Sequence, residues 1–343
     1  MEYSAIDLHT RRSQIRIVRE DGTIVLDRRI ETSRAALDEV FGDRPPMRIV
    51  IESSTESEWV AQRLEQRGHD VIVADPNYAA MYGTRSRRVK TDRRDAAALA
   101  EACRTGVYRR AHRVSAPARQ LRQQMRVRQH LVDCRRRTIN LVRALVRQDG
   151  RRLASGSAER VVARLDQLAL AAPLAAAIVP LRTSLVQVTA LLAAVEQAVE
   201  ARAADAPTQR LMTAPGVGPV VALTFQAVLD DPQRFGGSAA RASAFVGLVP
   251  SEDSSAERQH KGHITKTGPR DLRALLVQAS WVIWRGRSQA GAALRTWAQT
   301  LAVRRGRRIA IVALARRLTR MLYAMWRDQR PYHPPRRAAA MAA

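Results

Sequence analysis

Four carboxylates stand where they could do chemistry together. Asp7 closes an apolar run in Ala5-Ile6-Asp7-Leu8-His9, and Glu52 closes another in Ile49-Val50-Ile51-Glu52. Asp92 and Asp95 lie at i and i+3 in Lys90-Thr91-Asp92-Arg93-Arg94-Asp95, a spacing that puts both on one helix face. Four acids gathered without partners would repel one another. Around one or two Mg2+ ions, which take oxygen ligands, the same set makes physical sense. Two such ions about 4 Å apart can hold a scissile phosphate and stabilise an in-line displacement. Taken singly, each acid has a plainer role: Asp7 as a strand end, Asp92 as a helix N-cap, Asp95 as the partner of a nearby Arg. Glu52, at the end of an apolar strand, resists such a reading. His9 has the chemistry of a ligand or a base, but alone it reads as a surface or packing residue.

The elements that must position these acids are legible in the first hundred residues. Tyr3 to Leu8 is a short apolar strand, and Gln14 to Glu20 alternates as a half-buried strand does. Asp21-Gly22 signals a hairpin, with Thr23 to Ile30 returning. A helix over Ser33 to Phe41, a strand over Arg48 to Glu52, a helix over Glu56 to Arg67, a strand over Asp70 to Ala74 and a helix over Thr91 to Arg104 follow. This order, together with the acids, predicts an RNase H-like α/β domain. Its first and fourth strands would be neighbours, so Asp7 and Glu52 would converge.

Beyond it the chain reads as helical. Ala116 to Arg152 can place Leu121, Met125, Val132, Ile139, Val142 and Val146 on one face. Leu181, Leu185, Val188, Leu192, Val195 and Val199 form a heptad stripe, which suits a helical hairpin within the chain or a coiled coil between subunits. Residues 206–209 read as a linker. Pro215-Gly216-Val217-Gly218-Pro219 then resembles the hairpin of a helix-hairpin-helix element, in which Gly216 and Gly218 let the backbone approach a phosphate. The fold expected is α/β plus α: an N-terminal domain over 1–112, a basic helix and coiled-coil connector over 113–205, a mainly helical C-terminal domain over 206–330, and a disordered tail over 331–343.

Charge narrows the partners. The 343 residues hold 58 Lys and Arg against 32 Asp and Glu, a net charge of +26. Such a balance points to a polyanion, and two blocks carry all of the excess. Arg85 to Arg152 holds 21 basic residues and 5 acids, and Trp281 to the end holds 14 basic residues and one acid, Asp328. Candidate phosphate contacts are Lys90, Arg93, Arg94, Arg122, Arg126, Arg135 and Arg136 in the first block, and Arg304, Arg305, Arg307 and Arg308 in the second. Lys261 and Lys266 lie between the blocks, and with Lys90 they are the only lysines. Two cysteines, Cys103 and Cys134, imply no disulfide framework and suit a reducing cytoplasm. The longest apolar run, near Leu168 to Leu181, contains Pro173 and Pro180 and is expected to be too short to span a bilayer.

The order of motifs resembles one family along nearly the whole chain, Asp7 to about Trp326. Asp7, Glu52 and Lys90-Thr91-Asp92-x-x-Asp95 are similar to the DEDD signature of the IS110 insertion-sequence transposases. Gly68 to Pro76, Pro215 to Gly218, Phe245-Val246-Gly247-Leu248-Val249-Pro250, Ile264 to Gly268 and Leu272 to Leu276 match further family segments. The resemblance implies an RuvC-like domain whose acids Asp7, Glu52, Asp92 and Asp95 bind Mg2+. It also implies a catalytic serine five residues after the Pro of Gly-Leu-x-Pro. That is Ser255, with Ser254 the adjacent alternative. It further implies covalent phosphoserine chemistry on donor and target DNA, a noncoding bridge RNA that pairs with both, and a homo-oligomer, dimer or tetramer. Ala256 stands where the family often has Gly after the serine, Ser53-Ser54-Thr55 where many members have Thr-Gly, and Ala5 where Gly is common. Two other readings remain open from the residues alone. One is a metal-dependent junction-resolving nuclease using the acids without a serine intermediate. The other is a noncatalytic nucleic-acid-binding protein.

Overall fold

Alternating and continuous apolar runs build one five-stranded sheet from β1 (Glu2–Asp7), β2 (Arg12–Arg19), β3 (Ile24–Glu31), β4 (Arg48–Glu52) and β5 (Asp70–Ala74). The computed structural model describes residues 1–83, 91–252 and 261–334. Strand order is β3-β2-β1-β4-β5. The hairpin pairs β1-β2 and β2-β3 are antiparallel, while β1-β4 and β4-β5 are parallel. Side chains alternate faces along each strand. Ile6, Ile49 and Ile51 meet α1 (Arg34–Phe41) and α2 (Ser57–Glu65) through Leu37, Phe41, Val60 and Leu64. Ala5, Val50 and Ile72 meet α3 (Asp92–Thr105) through Leu99, Ala100 and Cys103 on the other face. Each buried Leu, Ile or Phe contributes roughly 1.5–3 kcal/mol, so both cores hold the sheet edge that carries the acids. Burial pushes the Cys103 thiol up to about 12, which makes it an inert packing group, and both cysteines are free.

This sheet unit, Met1–Arg113, is followed by a second unit, Val114–Ala343, that is largely helical. It opens with α4 (Ala116–Gln148), α5 (Val161–Asp166) and α6 (Ala172–Arg202). On α4, Leu121, Met125, Ile139, Val142 and Val146 are buried as their spacing predicts. The heptad stripe of α6 buries Leu185, Leu192 and Val199, and Leu185 and Val199 join cores that α4 shares. Pro173 and Pro180 do not cut the apolar segment short. Pro173 sits in the first turn, where its missing N–H leaves no bond unmade, and the helix continues through Pro180 for 31 residues in all. By length and composition α6 could therefore cross a membrane, which corrects the expectation of a run too short to do so. One such helix is weak evidence, since long helices of helical domains pass the same test.

Further helices are α7 (Ala206–Met212), α8 (Pro219–Leu229), α9 (Ala239–Phe245), α10 (Arg270–Arg285), α11 (Ala292–Arg305) and α12 (Arg307–Arg327). The expected linker at 206–209 is in fact the first turn of α7. The Asp205 side chain accepts from the Thr208 N–H at 3.0 Å, and Pro207 occupies the first turn, so the segment carries both helix-start signals. A core around Phe225, Leu272, Leu276, Leu314, Leu318 and Tyr323 joins these helices. Between α9 and α10 a short ribbon pairs β6 (Pro250–Glu252) with β7 (Lys261–Ile264). Tyr332 lies within the expected tail. Its N–H donates to Thr213 Oγ1 at 2.7 Å and its hydroxyl to the Ala290 carbonyl at 3.2 Å. The rest of that tail, 335–343, lies outside the described residues.

Candidate active site

The parallel pairing of β1 with β4 sets Ile6 opposite Ile51, so Asp7 and Glu52 leave the sheet at the same end. Asp7 is the last residue of β1 and is buried. Glu52 is the last residue of β4, half-buried, and accepts a hydrogen bond from the Tyr82 hydroxyl. Asp92 and Asp95 occupy the first turn of α3, where the helix dipole favours acids. Thr91 caps that turn by accepting from the Arg94 N–H at 3.3 Å. Asp95 is buried; Asp92 is half exposed.

A ladder of ion pairs fastens this turn to the sheet. Arg93 donates to Asp27 on β3 at 2.8 Å, and Asp27 is held in turn by Arg16 and Gln14 on β2, each at 2.6 Å. Burial would raise Asp27, but the hydrogen bonds from Arg93 and Arg16 outweigh it and keep its carboxyl below the usual range. Arg29 reaches Asp92 at 3.3 Å.

The electrostatics of Asp7 record the convergence. Its carboxyl is raised from 3.8 to about 6. Burial is the main cause. His9 pulls the other way, and Asp95, Asp92 and Glu52 add repulsion. The other three predicted acids therefore all act on Asp7 at this edge. His9 is there too: its Nε2 lies 3.4 Å from Asp7 Oδ2 and 3.4 Å from Asp92 Oδ1. It remains an exposed residue, as expected for a surface histidine, but one set between two of the predicted acids. Arg29, Tyr82 and His9 are site neighbours that the spacing of residues did not reveal. Only His9, two residues past Asp7, offered a signal.

A metal fits this donor set. Carboxylates are the natural ligands of hard divalent cations, and a carboxyl made reluctant to ionise by burial and by other acids is relieved by positive charge.

The remaining predicted residues divide. Ser254 and Ser255 lie outside the described residues, as does Lys90. The ribbon that leads into and out of the serine segment is described, with Pro250 opposite Ile264 and Glu252 opposite Lys261. Beneath it two glycines interlock. A side-chain carbon on Gly247 would stand 2.2 Å from the Thr267 carbonyl oxygen, and one on Gly268 would stand 2.0 Å from that of Phe245. Both have positive φ, 73° and 72°. Arg273 bonds the carbonyls of Val246 and Thr267, each at 2.9 Å, and so ties the same junction. Lys266 is exposed and also adopts positive φ, 55°.

Gly216 packs against α10, where a side-chain carbon would stand 2.6 Å from the Ala279 carbonyl oxygen; close packing explains this glycine without a phosphate. Gly218 opens α8 with free space at its Cα. Arg122 is half-buried and donates to the carbonyls of Ala227 and Val228 at 2.7 and 2.8 Å, so it caps α8 rather than facing a ligand. Arg135 pairs with Glu159 at 3.1 Å and Arg136 with Asp133 at 3.0 Å. Arg94 and Arg126 are exposed. Arg304, Arg305, Arg307 and Arg308 are all exposed around Gly306, at the junction of α11 and α12.

Comparison with known proteins places the chain among transposases. Residues 5–149 match the DEDD transposase model of the IS110 group, and residues 208–295 match the model described as "Transposase IS116/IS110/IS902 family". A probable family 20 transposase of Pseudomonas aeruginosa is 29% identical over 313 residues, 89% of this chain and 91% of its own length. The transposase for insertion sequence element IS1111A of Coxiella burnetii is 30% identical over 250 residues, 71% of this chain and 68% of its own. The transposase for insertion sequence element IS1328 of Yersinia enterocolitica is 27% identical, covering 93% of this chain and 95% of its own. The chain belongs to the IS110 family of insertion-sequence transposases.

Proposed function

We propose that this transposase is an RNA-guided DNA recombinase in which an RuvC-like carboxylate site and a serine act on the same phosphate. The observation that carries the reading is the convergence of Asp7, Glu52, Asp92 and Asp95 at one sheet edge, with Asp7 raised to about 6. The strand order β3-β2-β1-β4-β5 and the α3 acids agree with an RNase H-like ancestry for that unit. Asp7, Glu52, Asp92 and Asp95 would hold Mg2+, which when bound supplies charge to a phosphate and polarises it.

The chain's own residues have separate tasks. Arg93 and Asp27 hold the first turn of α3 at the sheet, and Tyr82 orients Glu52. The interlocked Gly247 and Gly268 fix the base of the ribbon whose strands precede and follow, in sequence, the segment that contains Ser254 and Ser255. The serine oxygen forms a bond to phosphorus as one deoxyribose oxygen leaves. The serine proton passes to a base, and the leaving oxygen takes up a proton. The number of phosphoester bonds is unchanged, so a sugar hydroxyl can reverse the exchange on a new partner without an external energy source. Exposed arginines, with Arg304, Arg305, Arg307 and Arg308 foremost, would grip the phosphate backbones of DNA and of a bridge RNA. Family resemblance alone supports the RNA and the dimer or tetramer.

The test is capture of a protein–DNA adduct with Mg2+ and the element's ends. Wild type and Ser254→Ala should form the adduct, and Ser255→Ala should not. Free nicked ends with no adduct in wild type would instead favour the junction-nuclease reading.

A further inference from the structure

His9 departs from a purely carboxylate site. One imidazole nitrogen stands equally close, at 3.4 Å, to an oxygen of Asp7 and an oxygen of Asp92. Charge-assisted N–H···O bonds are shorter, about 2.7–2.9 Å, and a ring nitrogen has only one proton to give. Donors that surround one ion at roughly 2.1 Å stand about 3.0–3.4 Å from each other. The three donor atoms of Asp7, His9 and Asp92 all lie within 4.8 Å of one another.

The backbone under His9 is fixed as well. Its carbonyl accepts from the Thr32 hydroxyl at 2.8 Å, and that hydroxyl also meets Ser13 Oγ at 2.7 Å. The Thr32 N–H donates to the Arg11 carbonyl at 2.9 Å. The β1–β2 connection is therefore clamped to the end of β3, and the imidazole approaches the acids from a held position rather than from a free loop.

Resting on the reading of the carboxylate edge as a metal site, we infer that His9 is a metal ligand through Nε2, beside Asp7 and Asp92. The site is then a mixed oxygen and nitrogen site. Imidazole adds little for Mg2+, which prefers oxygen, and adds more for transition divalents, whose affinities rise from Mn2+ to Co2+. His9 accordingly strengthens the binding of Mn2+ and Co2+ more than that of Mg2+.

The experiment uses Mn2+ alone with the full chain. Electron paramagnetic resonance counts bound Mn2+, and pulsed echo modulation detects nitrogen bonded to it. Wild type should show imidazole 14N modulation, and histidine labelled with 15N should change its frequency. His9→Ala should abolish the modulation and weaken Mn2+ binding about ten- to a hundredfold, while Mg2+ competition changes less than threefold. The labelled wild type keeps the test independent of how well the variant folds. Mn2+ that binds, is lost in Asp7→Asn and shows no nitrogen modulation would overturn the role of His9 and leave the carboxylate site standing. Absence of any Mn2+ bound through Asp7 would overturn both.

Discussion

Replacing Asp7 with Asn should stabilise the metal-free protein even as it abolishes DNA strand transfer. The folded chain holds the Asp7 carboxyl at about 6 against an ordinary 3.8. A raised value means that the folded state favours the protonated form. The associated stability is fully present below pH 3.8 and is lost as pH rises through 6. At neutral pH the charged carboxylate therefore costs the fold at most about 3 kcal/mol, at about 1.4 kcal/mol per tenfold in proton affinity. Solvent screening at this open sheet edge reduces that to about 1–2 kcal/mol. Asn keeps the shape and removes the charge. In EDTA at pH 7.5, hydrogen exchange of the β1 and β4 amides should slow in Asp7→Asn by roughly five- to thirtyfold, which corresponds to 1–2 kcal/mol of local stability. Adding Mn2+ should slow the wild type and leave the variant unchanged. If Asp7→Asn exchanges faster than wild type in EDTA, Asp7 is not held against its own charge, and the convergence argument fails.

Four further outcomes follow from other parts of the molecule. Burial lowers the basicity of His69, whose Nδ1 accepts from the Met47 N–H at 3.4 Å while Nε2 faces the Phe41 carbonyl at 3.1 Å. Its stabilising effect is present above its ordinary 6.5 and is lost as pH falls below that, so urea midpoints of the wild type should fall with acidification more steeply than those of His69→Gln. Gly268→Ala, with its new carbon 2.0 Å from the Phe245 oxygen and a backbone at φ 72°, should destabilise the second unit by about 2–4 kcal/mol in thermal melts. Neutralising Arg304, Arg305, Arg307 and Arg308 together should flatten the salt dependence of DNA binding by up to about 3–4 in log–log slope. Arg122→Ala should leave that slope unchanged and cost about 1–3 kcal/mol of stability, because the Ala227 carbonyl loses this donor and the Val228 carbonyl keeps only Arg234 at 3.5 Å.

The sheet was legible because its information is local. Gln14 to Glu20 alternates, Ile49-Val50-Ile51 is a continuous apolar run, Asp21-Gly22 marks a turn, and Asp7 and Glu52 each end an apolar run. The α3 acids were legible from i and i+3 spacing with Thr91 ahead of them. What escaped depends on contacts distant in sequence. Tyr82 meets Glu52 across 30 residues and Arg29 meets Asp92 across 63, and no spacing rule links them. His9 was visible but undervalued, because only the fold brings Asp92 to its other side. Arg122 has the composition of a phosphate contact, and only the position of the α8 carbonyls shows that it serves the fold. The apolar run around Pro173 and Pro180 belongs to a longer helix than its sequence suggests, because packing of Leu185 and Val199 in the α4 cores outweighs the one backbone bond that Pro180 removes.

The central claim is that the carboxylate edge acts on the scissile phosphate through a bound cation. Cleavage of DNA with one sulfur at that phosphate, in Mg2+ and then with thiophilic Mn2+ or Cd2+ added, tests it most directly. Activity should fall at least tenfold in Mg2+ and recover with Mn2+ or Cd2+ in the wild type, with no recovery in Asp7→Asn. Equal activity on sulfur and oxygen substrates in Mg2+, or rescue that survives Asp7→Asn, would contradict the claim.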